Sequence, residues 1–191
     1  MEGYLYLKKL MDVPHAINVA GYSKVVREIA KRNTKNSNLK EPTAESIDKL
    51  YEIVANLIIQ GQSSELKPVT ENLKRCVYLL AEEAIYFHLN SFNHDSLEKQ
   101  KRNGFESCLK QMETVFRNKN RDYGNSFRFW GVTGVVVRIG DKVFRIRQLS
   151  NKRYKQKISD ERIPDTALDL ANYVIMLLML LNEKRGIKLG R

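Results

Sequence analysis

Apolar side chains return at steps of three and four in five separate windows of this chain, the period of an α-helix and not of a strand. Tyr22 to Lys31 places Val25, Val26 and Ile29 on one side. A helix from about Ala44 to Gln60, with Thr43 as its N-cap and Gly61 at its end, is apolar at Ile47, Leu50, Val54, Leu57 and Ile58. A third, from about Val69 to Asn90, turns Leu73, Val77, Leu80, Ala84 and Phe87 inward. The polar break SFNHDS separates it from a fourth, about Leu97 to Asn118, capped by Ser96 and buried at Phe105, Leu109, Met112 and Phe116. The last starts at Pro164, a favourable first-turn residue, and runs to about Lys184 before Gly186, with Leu168, Val174, Ile175, Leu178 and Leu181 on its core side. Four Pro and ten Gly in 191 residues suit such a helical chain.

One window reads two ways. VVVRIGDKVFRIRQL, 135–149, has β-branched runs on either side of a Gly-Asp turn, as a hairpin does. Yet Val132, Val135, Val136, Ile139, Val143, Ile146 and Leu149 also form one helical stripe. Gly140 costs that helix up to about 1 kcal/mol. The helix is the better fit, because the strand splits the apolar set between two faces.

The net charge of +11 is confined to one half. Residues 1–95 hold 12 Lys/Arg and 12 Asp/Glu, whereas residues 96–191 hold 21 and 10. Such asymmetry points to an anion facing the second half: a nucleic-acid backbone, a nucleotide polyphosphate or an acidic protein. The densest cluster, NKRYKQK (151–157), has no apolar face and reads as a solvated loop. The start of the chain lacks the pattern of a signal peptide. The longest apolar run, Tyr173 to Leu181, is too short to span a bilayer, so no membrane is expected. Cys76 and Cys108 read as reduced apolar residues, which suits a cytoplasmic protein. His15, His88 and His94 have no ligand spacing, there is no Gly-rich phosphate loop, and no His lies near Cys108 in sequence. Glu82 and Glu83 are adjacent on a helix, point in different directions and read as a solvated face.

The chemistry-bearing residues cluster in three segments of the basic half. The turn KNRDYGNSF carries Lys119, Arg121, Asp122 and Tyr123 where a plain linker needs only Gly, Asn and Ser. On the helical reading Arg138, Asp141 and Arg145 share a face, with Lys142 one turn after Arg138. In the last helix Asp165 and Asp169 stand four apart, with Asn172 and Tyr173 a turn further. Two carboxylates at that spacing repel unless neutralised. Asp165 is welcome near a helix N-terminus, whereas Asp169 lies ahead of a very apolar stretch. Mg²⁺ prefers carboxylate oxygens plus water and phosphate, and would compensate both, with Asp141 and Glu113 from neighbouring helices completing the cluster. Taken singly, each residue has a plainer reading: Asp165 as a helix start, Asp141 in a surface ladder with Arg138 and Arg145, Asp122 as a turn residue.

Lys119-Asn120-x-Asp122-Tyr123-Gly124, Arg138-Ile139-x-Asp141-Lys142-x-x-Arg145 and Asp165-Thr166-x-x-Asp169-Leu170-Ala171-Asn172-Tyr173 together resemble the nucleotide modification associated domain 1 family of phages and bacteria. The resemblance covers about 97–182. More distantly, the acidic residues on packed helices are similar to those of MazG-like all-α nucleotide pyrophosphatases. The resemblance implies an all-α bundle of about six helices, with a MazG-like four-helix core in the C-terminal half. It divides the chain into an N-terminal helical region, 1–95, of unassigned role and a basic domain, 96–191. The implied function is Mg²⁺-dependent nucleotide binding, with hydrolysis of a (d)NTP to (d)NMP and pyrophosphate, in the cytoplasm of a bacterial host. Glu113, Asp141, Asp165 and Asp169 would hold metal, the three Asp carrying catalysis. Lys119, Asp122, Tyr123, Arg138, Lys142, Arg145, Asn172 and Tyr173 would contact the nucleotide. A homodimer is implied by the same resemblance. The alternative is a non-catalytic module that docks the basic half on nucleic acid or on a host factor; acids would then be kept off the contact face.

Overall fold

In the computed structural model, which describes residues 14–33, 42–61, 67–91, 97–151 and 162–183, the described residues form six helices and no strand. These are α1 (His15–Asn33), α2 (Ala44–Gly61), α3 (Lys67–Asn90), α4 (Leu97–Asp122), α5 (Ser126–Leu149) and α6 (Ile163–Glu183). The fold is an all-α bundle, and the window 135–149 is helix. Thr43 caps α2 as its sequence suggested: its Oγ1 accepts from the Ser46 N–H at 3.1 Å, and the Ser46 Oγ accepts from the Thr43 N–H at 3.0 Å. α1 begins about two turns before the window read from periodicity, because polar Asn18 hides the start of its buried side. The Ser96 cap, residues 152–157 of the basic cluster and Gly186 lie outside the described residues.

α6 is the axis of the molecule. It packs most extensively on α3 and α5, and α2 closes the ring by packing on both of them. α1 lies against α4, α6 and α3. The four-helix core is therefore α2, α3, α5 and α6, two helices from each half, and not a unit of the C-terminal half alone. The change of charge near residue 95 is not a break in packing: one apolar cluster runs from Tyr22 and Ile47 to Leu181. A helix buried by neighbours on several sides must be apolar almost all round. α6 obeys, with Ala167, Leu170, Ala171, Val174, Ile175, Leu177 and Leu178 fully buried. By length and apolar composition it would also pass for a membrane span, contrary to the reading from its short uninterrupted run, but 67% of that stretch is inside the bundle.

α5 carries the expected stripe: Val135, Ile139, Val143 and Ile146 are buried. It is kinked at Gly131, where φ is 61° and ψ is −158°. That backbone region belongs almost only to glycine and costs other residues about 1–3 kcal/mol. A Cβ at Gly131 would meet nothing within 4 Å, so the cost is purely conformational. Gly131→Ala is expected to destabilise the fold by about 2 kcal/mol in urea unfolding; an unchanged midpoint would mean the kink is not held. Gly140 has a different reason to be small: a Cβ there would sit 2.3 Å from the Tyr51 hydroxyl of α2. The glycine that weakens α5 as an isolated helix lets it approach α2.

Glu82 and Glu83 are not a solvated pair. Glu83 accepts a hydrogen bond from Ser46 at 2.6 Å, and Glu82 is only 2% exposed. Burial raises the Glu82 pKa, against the lowering charge of Arg32. A carboxyl whose folded pKa is raised opposes folding when ionised. The penalty is absent below the unfolded pKa of about 4.3, grows as pH rises through the folded value, and is complete above it. Glu82→Gln is expected to raise stability at pH 7 and to leave it unchanged near pH 4, measured as unfolding midpoints at both. A loss at pH 7 would show that the ionised carboxylate has a favourable partner.

Candidate functional site

The three segments singled out in the sequence meet at one carboxylate. Lys119, in the last turn of α4, bonds Asp169 Oδ1 at 2.9 Å, and Lys142 of α5 bonds Asp169 Oδ2 at 3.1 Å. Each of α4, α5 and α6 thus supplies one member of a Lys–Asp–Lys cluster. The Asp169 side chain is 29% exposed and that of Lys142 18%, so the cluster is a half-sheltered surface site. Burial lowers the Lys119 pKa, but the bond and charge of Asp169 outweigh it, and Tyr173 and Tyr123 add to the rise. The Lys119 ammonium is therefore firmly charged at neutral pH. Tyr123 stands beside it, 71% exposed, in the turn where Gly124 takes a φ of 60° and ends α4.

The remaining predicted residues are distributed differently. Asp141 does not reach Asp169. It is an exposed residue 3.6 Å from Arg138 on the surface of α5, and its charge acts on Tyr51 of α2. Adjacent helical positions point about 100° apart, so when Lys142 faces α6 its neighbour Asp141 faces α2. Asp165 is exposed in the first turn of α6, where its charge acts on the buried His88. Glu113 faces α1; after burial and Cys108, its charge helps to raise the Tyr22 pKa. The four carboxylates expected to hold Mg²⁺ are therefore not brought together, and among the described residues no three His, Cys, Asp or Glu form a metal-binding group. Both oxygens of Asp169 already bond ammonium groups, so the donor set does not fit a divalent cation. Asn172 is buried as well. It accepts from the Tyr22 hydroxyl at 2.6 Å and donates to the Leu168 carbonyl at 2.9 Å, so it belongs to the core and not to a substrate contact. Arg138 and Asp122 are exposed, and Tyr173 and Arg145 are half-buried.

Behind the site lies a buried polar network that periodicity cannot reveal. Arg128, 8% exposed, forks onto Glu183 at 2.5 and 2.7 Å, and its Nε donates to Asn18 Oδ1 at 2.5 Å. Asn18 in turn donates to the side chain of Asn125, which starts α5. Asn120, 6% exposed, meets His15 Nδ1 at 2.9 Å. KNRDYGNSF is thus two-sided: Asn120 and Asn125 anchor the turn to α1, while Lys119 and Tyr123 face outward. The only sequence signal was two Asn in a motif whose other polar residues looked functional.

Fold and site define an all-α protein with a basic, half-sheltered cluster at the meeting of its last three helices. Residues 119–181 match the model of the family described as nucleotide modification associated domain 1. The match begins at Lys119, later than the resemblance read from the sequence, and takes in every member of the Lys–Asp–Lys cluster. No curated protein and no solved structure matches the chain.

Proposed function

We propose that the protein binds a nucleotide, with Lys119 and Lys142 meeting its phosphates and Tyr123 stacking on its base. The observation that carries this reading is that the matched segment delivers one charged residue from each of three helices to a single point on the surface. Asp169 holds the two ammonium groups apart and aligned, so little side-chain freedom remains to be lost when phosphate arrives. An exposed aromatic ring beside them supplies a surface for any base, since every base has a π-face. The reading needs no Mg²⁺, because Asp169 is engaged by two lysines.

The test is calorimetric titration with a panel of dNTPs and NTPs, in EDTA and again in Mg²⁺, with products checked by chromatography. Saturable binding in EDTA supports the reading. Absence of binding to any nucleotide sinks it. Pyrophosphate release that requires Mg²⁺ would overturn the binding-only form in favour of the hydrolase that a MazG-like relationship would imply.

A further inference from the structure

A polar cleft of about 620 Å³ opens between α1 and α3 where the end of α6 meets them. Among the described residues its charged lining is Lys24, Glu28, Arg32, Glu71, Lys74 and Arg75, four cations against two carboxylates. One of the cations is unusual. Lys74 is only 8% exposed, and the hydrogen-bond partner its ammonium has in the described structure is a neutral one, the Asn182 side-chain oxygen at 2.6 Å. A buried ammonium carries three donors and is costly without a counter-charge. The carboxylate whose charge acts on it, Glu28, is engaged by the Tyr78 hydroxyl. Burial accordingly pulls the Lys74 pKa down, while Glu28 raises it. Arg32 lies over the Tyr78 ring, 3.9 Å from its centroid, which fixes the guanidinium at the wall of the cleft.

We propose that this cleft is a second anion site, taking a small phosphate monoester whose phosphate pairs with Lys74, Arg32 and Arg75. The lining's excess of two positive charges matches a dianion. Arginine forks suit phosphate oxygens in pairs. The volume falls in the range of small-molecule pockets, about 300–1,000 Å³. Glu28 and Glu71 set the upper limit on charge, because a triphosphate would be pressed against two carboxylates. The site is separate from the Lys119–Asp169–Lys142 cluster: Asn182 lies roughly 20 Å further along α6 than Asp169, at about 1.5 Å per residue.

The test uses the full chain carrying Lys119→Met and Lys142→Met, so that the first site is silenced and the two readings fail independently. The probes are ribose 5-phosphate and AMP, each against its unphosphorylated counterpart, with ATP for comparison. Expected is saturable binding of both monoesters, none of ribose or adenosine, and weaker binding of ATP. Adding Lys74→Met should weaken the monoesters at least tenfold without loss of fold, since Met keeps the volume and removes a buried charge. Arg75→Ala, an exposed change that cannot threaten the core, should weaken them several-fold. No saturable binding at millimolar probe, equal binding of the unphosphorylated compounds, or indifference to both Lys74→Met and Arg75→Ala would each overturn the proposal.

Discussion

Replacing Lys119 and Lys142 together by Met is expected to weaken nucleotide binding by about a hundredfold, with the fold intact. Hydrogen bonds to charged groups contribute about 1.5–3 kcal/mol each, and two of them suffice for a loss of that size. Each single variant should lose about tenfold, unless the remaining lysine swings fully onto the phosphate. The informative companion is Asp169→Asn. If Asp169 serves to align two lysines, its removal frees both for phosphate, and binding in EDTA persists or tightens. If Asp169 instead holds a metal, Asp169→Asn abolishes metal-dependent binding, and the double-lysine variant has the smaller effect. Titration of the four variants side by side separates the cases. A double-lysine variant that binds as the parent does would move the nucleotide site elsewhere on the protein.

The second large effect concerns stability. Arg128→Met is expected to lower the unfolding free energy by about 3 kcal/mol, read from the urea midpoint. Breaking a buried ion pair by removing one partner costs about 3–5 kcal/mol, because the other charge is left uncompensated. The Glu183 side chain is 37% exposed and can recover water, which places the loss at the lower end. The Asn18 side-chain oxygen, bonded by the same guanidinium, loses that donor too, while the Asn18 amide keeps its bond to Asn125. Adding Glu183→Leu to Arg128→Met should restore part of the loss, since no lone carboxylate then remains. A cost below about 1 kcal/mol for Arg128→Met would mean that the pair is no stronger than an exposed one.

The helices were legible because their buried sides repeat at a fixed spacing. Ile47, Val54 and Ile58, or Leu73, Val77 and Leu80, announce a helix whatever they pack against, whereas the β-branched window 135–149 also allowed a hairpin. The convergence on Asp169 was legible in part: three dense segments stood out, and Lys119, Lys142 and Asp169 do meet. Their partnership was not legible. The sequence suggested carboxylates around a cation, whereas the structure places two ammonium groups on one carboxylate. The choice between Asp141 and its neighbour Lys142 depends on the rotation of α5 about its own axis. That rotation is set by where Val135, Ile139, Val143 and Ile146 must go, and by the close approach of Gly140 to Tyr51.

The same limit explains Arg128, Glu82, Lys74 and Asn172. Each is polar, and each reads as surface on any pattern that sorts polar from apolar. Whether a polar residue is buried depends on a partner far away in sequence: Glu183 for Arg128, Asn182 for Lys74, Tyr22 for Asn172. Local spacing carries no record of those partners. The sequence by itself determined the all-α class, the helices and the basic second half, because helical period and charge are local or additive properties. The tertiary structure alone decided which carboxylate the lysines share, which helices make the core and where the polar cleft opens. Those follow from how the helices rotate and pack on one another, and that is fixed by the whole core at once.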